Sequence, residues 1–162
     1  AALANSGLSA HLLDLEITES LLFNQHTETI KLLNKITSLG IQLSIDDFGT
    51  GFSALSYLQK FPFNKLKIDR SFLLDMETNL SSQELVNAII AMAKALGLKV
   101  VAEGVESDWD ANYLQHQGCD FAQGYHYSRP IPAIEFEQLL QNKAIKKPLL
   151  FASIPVDLNE VS

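Results

Sequence analysis

The chain switches between two hydrophobic periods, strand and then helix, five times in succession. Few folds accommodate that pattern. Strands read at 12–17, 41–47, 65–69, 98–102 and 120–123. Each is followed by a segment that reads as a helix. The first spans 27–39, with Ile30, Leu33 and Ile36 on its apolar side and Gly40 as its stop. The second is short, 53–60, and ends before Pro62. Ser81 and Glu84 make a capping-box pattern before a third helix. That helix carries Leu85, Ile89, Met92, Ala93 and Leu96, and Gly97 ends it. Ser107 caps a fourth, which stops at Gly118. Pro132 opens a fifth, with Phe136, Leu139 and Leu140. Ahead of the first strand, residues 1–6 read as a helix tail closed by Gly7. Strand–helix–strand repetition implies parallel strands joined by right-handed crossovers. No Gly-x-Gly-x-x-Gly follows any strand, which disfavours a dinucleotide-binding sheet.

The polar residues narrow the choice. Glu16, Asp46, Asp47, Lys67, Asp69, Glu103 and Gln123 all fall at or near the C-terminal ends of these strands. In a (β/α)₈ barrel those ends meet at one mouth, where the active site lies. The fold class expected is therefore α/β, a (β/α)₈ TIM-type barrel. Such a barrel takes roughly 250 residues and eight strands. The five units here are expected to be its C-terminal part, with about three strands upstream. The expected division is a barrel domain at 1–142 and a tail at 143–162, where no period is legible.

Composition excludes several functions. Of 162 residues, 47% are hydrophobic, enough for a core and too many for a disordered chain. No apolar run is long enough to span a bilayer, and no signal peptide opens the sequence. The single cysteine, Cys119, permits no internal disulfide and is consistent with a cytoplasmic setting. A net charge of −7 argues against DNA as a partner. A small phosphate-bearing ligand stays open if metal ions offset the carboxylates.

Asp46 and Asp47 are adjacent, so in a regular strand their side chains would point to opposite faces. They can share a partner only where the strand frays. A divalent metal there would account for two neighbouring negative charges. A solvated Asp-Asp turn is the alternative. No cysteine–histidine cluster has zinc spacing, and His11, His26, His116 and His126 read as surface or supporting residues.

Five stretches then point to a family. They are Leu15-Glu16-Ile17-Thr18-Glu19-Ser20, Asp46-Asp47-Phe48-Gly49-Thr50-Gly51-Phe52-Ser53, Leu66-Lys67-Ile68-Asp69-Arg70-Ser71-Phe72, Val101-Ala102-Glu103-Gly104-Val105-Glu106, and Gln123-Gly124-Tyr125 with Ser128-Arg129-Pro130. In order and spacing the chain resembles the EAL domain, the cyclic-di-GMP phosphodiesterase family, over about 3–140. The Glu-Ala-Leu motif itself does not occur in the chain, nor does the family's asparagine on the next strand. Phe52 stands where the family usually has tyrosine, and Ala54 where it has serine.

The resemblance implies hydrolysis of cyclic di-GMP to the linear dinucleotide pGpG with two divalent ions, Mg²⁺ or Mn²⁺. It implies Glu16, Asp46, Asp47, Asp69 and Glu103 as metal ligands, with Asp46 bridging. Lys67, Glu103 and Gln123 would act on the attacking water or the phosphate. Glu19 and Glu106 would hold loops. Phe48, Gly49, Tyr125 and Arg129 would meet the substrate, with Phe52 a further aromatic contact. The loop at 49–53 would link the site to a homodimer interface, and an upstream sensor or diguanylate-cyclase-like module is common in such proteins. Strand-end aromatics can equally be packing, Asp69 can equally pair with Arg70 or Lys67, and a Schiff-base role for Lys67 is a rival. A non-catalytic cyclic-di-GMP receptor and an inactive fragment are the alternatives to an enzyme.

Overall fold

The structure is a computed structural model, and it describes residues 2–19, 27–49 and 58–141. Helix α1 (Ala2–Ser6) and a 3₁₀ turn (Ala10–Leu12) precede strand β1 (Asp14–Thr18). Then come α2 (Thr27–Ser38), β2 (Gln42–Phe48) and β3 (Lys65–Ile68). A second 3₁₀ turn (Arg70–Phe72) leads to α3 (Leu80–Ala95), β4 (Lys99–Glu103), α4 (Asp108–His116), β5 (Phe121–Gln123) and α5 (Ala133–Gln141). The five strands form one parallel sheet in chain order, β1-β2-β3-β4-β5.

Period two sorts the strand residues onto two faces. Leu43, Ile45, Leu66, Ile68, Val100, Ala102 and Ala122 are buried on the helix side. There they join Val86, Ile89, Ile90 and Ala93 of α3 and Ala111 and Leu114 of α4 in one core. Burial of each large aliphatic side chain contributes about 2 kcal/mol. The other face reads Asp14 and Glu16, Ser44 and Asp46, Lys65 and Lys67, Val101 and Glu103, Phe121 and Gln123. Most of these residues border a cavity of about 250 Å³. A sheet with helices on one face and charges on the other is one wall of a TIM-type barrel seen with its lumen.

Several boundaries differ from expectation. Leu12 belongs to a 3₁₀ turn, and β1 begins two residues later and ends one residue later than expected. Asp69 leaves β3 and caps the next turn, its carboxylate accepting from the Ser71 amide. The capping box expected at Ser81 is not used. Asn79 is the N-cap of α3, and its side chain accepts from the amides of Ser81 and Ser82. The Ser82 hydroxyl donates to Asp75. With that start, α3 turns Val86 and Ile90 inward and leaves Leu85 exposed. The box at Ser107 is present, closed by Asp110. Most of the helix expected at 53–60 lies outside the described residues, as does the tail.

Candidate active site

The carboxylate pair sits where β2 changes register. Ile45 pairs with Leu66, but Phe48 pairs with Ile68, so the ladder is irregular between them. Asp47 takes φ 54, the left-handed conformation that aspartate tolerates better than most residues. A bulge of this kind re-aims side chains. It lets neighbouring residues bring their carboxylates to one side of a strand that continues to Phe48. Asp46, Asp47 and Glu103 each offer an oxygen, and these lie within 4.8 Å of one another.

Lys67 lies beneath them. It rises from the middle of the sheet and is only 6% exposed. Its Nζ is 2.7 Å from Glu16 Oε1, 2.8 Å from Glu103 Oε1 and 3.0 Å from Asp46 Oδ1. Burial alone would pull the ammonium's pKa down, but the surrounding carboxylates of Glu103, Glu16 and Asp46 outweigh it and hold it above its ordinary value. An amine held in its charged form is a poor nucleophile, which disfavours the Schiff-base reading. The Glu103 carboxyl is held above its ordinary value, first by burial and then by Asp46 and Glu16, against the opposing pull of Lys67. The contact of Asp46 Oδ1 with Lys67 lacks hydrogen-bond geometry, and this buried oxygen has no hydrogen-bond partner among the described residues. A cluster of hard carboxylate oxygens, one of them buried without a hydrogen bond, fits a divalent cation of the magnesium, manganese or calcium type.

Around this centre the loops hold one another. The Gly49 amide donates to Glu19 Oε2 at 3.1 Å, and Glu19 is buried. Arg70 pairs with Glu106 at 2.9 Å. Asp69 stands outside the carboxylate triad. Its pKa is lowered, chiefly by the Ser71 hydroxyl, and its interactions are with its own turn rather than with Arg70 or Lys67 side chains. Gln123 is exposed at the end of β5, with its carbonyl accepting from the Val105 amide. Arg129 lies over the Tyr125 ring, 4.7 Å from its centroid, and both residues are exposed. Phe48 is packed into the core. Phe52 and His26 lie outside the described residues.

His126 takes the supporting rather than the surface half of its reading. Its side chain is 7% exposed, 3.6 Å from Asp108 and edge-on to Tyr127. Reasoning from sequence missed a second polar layer in the lumen. Ser44 donates to both oxygens of Asp14, and Lys65 pairs with Asp14 at 2.5 Å. Each of the three stands two residues before a member of the upper cluster, Glu16, Asp46 or Lys67, so strand periodicity was the available signal.

Comparison with known proteins gives this geometry a lineage. The family model described as EAL domain matches residues 1–130. The cyclic di-GMP phosphodiesterase NbdA of Pseudomonas aeruginosa is 47% identical over 140 residues, covering 86% of this chain and 18% of the relative. The EAL domain of Mycobacterium smegmatis DcpA superposes with a TM-score of 0.82 at 42% identity, covering 86% of this chain and 63% of that one. Klebsiella pneumoniae BlrP1, solved as a manganese and cyclic di-GMP complex, superposes with a TM-score of 0.73 at 34% identity, covering 80% and 33%. The chain thus spans under a fifth of the length of NbdA and less than two thirds of the DcpA chain. By motif, fold and match, the chain belongs to the EAL domain family.

Proposed function

We propose that this chain carries the hydrolytic chemistry of a cyclic-di-GMP phosphodiesterase, opening the cyclic dinucleotide to pGpG. The observation that supports it best is Lys67, buried among Glu16, Asp46 and Glu103 at the mouth of the sheet. Glu16, Asp46, Asp47 and Glu103 would hold two Mg²⁺ or Mn²⁺ ions, with Asp69 the outermost candidate. Bound there, such ions lower the pKa of a coordinated water and neutralise phosphate charge.

The chain's own residues supply the rest. Lys67, held in its charged form, donates to a phosphate oxygen and does not act as a base. Glu103, where it serves as general base rather than metal ligand, would accept the proton of the attacking water. Gln123 orients water or substrate from the end of β5. Tyr125, backed by Arg129, offers an exposed ring for a guanine base. Phe48 supports this floor from the core, and Gly49 presents the loop that Glu19 holds. The reading extends to a homodimer working with an upstream sensor or diguanylate-cyclase-like module, in the cytoplasm.

The test is hydrolysis of cyclic di-GMP with Mn²⁺ or Mg²⁺, followed by chromatography of pGpG. It is run on this chain and on an N-terminally extended form. Turnover is expected in at least one of them, and Asp46→Asn is expected to bring it to background. Binding of the dinucleotide without cleavage in both would replace this reading with that of a receptor.

A further inference from the structure

The carboxylate triad is drawn from two strands that are not neighbours. Asp46 and Asp47 come from β2 and Glu103 from β4, with β3 between them. β3 contributes no member to that triad. Its C-terminal turn, however, touches the loops of both neighbours at a glycine.

On the β2 side the partner is Gly49, two residues past Asp47. A Cβ built on Gly49 would come within 2.7 Å of the Phe72 ring, so the ring occupies the space that any side chain at 49 would need. Gly49 is also at φ +94. Glu19 grips its amide from the β1 side, so this residue is clamped between two loops. On the β4 side the partner is Gly104, next to Glu103. A Cβ there would meet Arg70 Cγ at 2.4 Å, Cβ at 2.7 Å and Cδ at 2.8 Å. The Arg70 stem lies in the Gly104 slot, and its guanidinium continues to Glu106. Phe72 and Arg70 are the two ends of one 3₁₀ turn, and Asp69 caps the start of that turn through the Ser71 amide.

We propose that the turn Arg70–Phe72 is a spacer that sets the distance between the two halves of the metal-binding triad, with Phe72 positioning Asp46 and Asp47 through Gly49 and Arg70 positioning Glu103 through Gly104. Neither side chain belongs to the carboxylate triad, and both are positioning residues. The inference rests on the metal-dependent reading above. It predicts that metal affinity depends on the filling of two slots rather than on the charge of the residues that fill them. Supporting residues around metal ligands typically change affinity by about 10–100-fold when removed.

The experiment is Mn²⁺ titration of the whole chain, read by the loss of the free-ion EPR signal, with the thermal midpoint of each variant measured without metal. Phe72→Ala and Arg70→Ala are expected to weaken Mn²⁺ binding by about 10-fold or more. Arg70→Met keeps the stem and loses the charge, and it is expected to bind within about 3-fold of the parent. Phe72→Leu, which refills part of the slot, is expected to fall between the parent and Phe72→Ala. Asp46→Asn is the control on the reading itself. Parent-like binding by both alanine variants, with Asp46→Asn binding poorly, overturns the spacer and leaves the metal site standing. Mn²⁺ binding that is equally poor in the parent and in Asp46→Asn overturns both. If an alanine variant does not fold, the milder pair decides: Arg70→Met binding 10-fold weaker, or Phe72→Leu binding like the parent, counts against the spacer.

Discussion

Lys67 is buried where a lysine is ordinarily costly, and three carboxylates account for its being there. Its need for acidic neighbours was legible from its place at a strand end. Which acids would answer was not, because that depends on how three strands are staggered. Cys119 shows the opposite case. It is buried behind β5 with its thiol donating to the carbonyls of Phe121 and Val100, and burial pushes it up to about 12 from 9.0. The folded thiol keeps its proton at a pH where the unfolded one has lost it. This contribution to stability is therefore complete below pH 9 and is lost as pH rises toward 12. Urea unfolding at steps from pH 8 to 12 should show stability falling across that window, with a shallower slope in Cys119→Ala. An identical slope in the variant would mean that another group titrates there.

At the level of elements, the strands and their order of alternation were readable, since each is a short apolar run bounded by turn residues. Their ends shifted by one or two residues, and the N-cap of α3 moved from Ser81 to Asn79, because cap choice turns on which side chains reach the free amides. The bulge in β2 was not readable. Sequence gives two adjacent aspartates, and only the register against β3 shows how both reach one side. The same holds for the loop contacts at the mouth. At Gly124 a Cβ would lie 2.1 Å from the Val105 carbonyl oxygen and 2.3 Å from its amide nitrogen, both of them backbone atoms that cannot swing aside. The β4 and β5 loops are that close because Val105 donates to Gln123 and His126 donates back to Val105. Gly124→Ala should cost about 3 kcal/mol or more, read as a lower denaturation midpoint with an unchanged m-value. A loss below about 0.5 kcal/mol would show that these loops can part freely.

For the molecule as a whole, the sheet divides its chemistry by face, with aliphatic residues toward the helices and two polar layers toward the lumen. At that lumen Glu16, Asp46 and Glu103 pair with Lys67, and Asp47 lies beside Asp46 and Glu103, so acidic groups outnumber the ammonium. A cation bound there should stabilise the fold by mass action, by about 2.7 kcal/mol at a hundred times its dissociation constant. In a chain of this size that is a rise of roughly 5–10 °C in the thermal midpoint. Mn²⁺ should produce it, EDTA should remove it, and Asp46→Asn should abolish it. A midpoint indifferent to Mn²⁺ would count against the lumen as a cation site.

The strand order also has a consequence for how the chain is made. Every strand pairs with the one before it in sequence, from Asp14 against Gln42 to Val101 against Phe121. Among the five described strands none waits for a distant partner within this sheet, so the closure entropy is met in small successive steps. During translation each new strand can dock on a ledge already in place as it leaves the ribosome. Asp46 and Asp47 emerge first, the turn at Arg70–Phe72 next, and Glu103 last. The turn that lies between the two halves of the carboxylate triad is then in place before the last carboxylate reaches it.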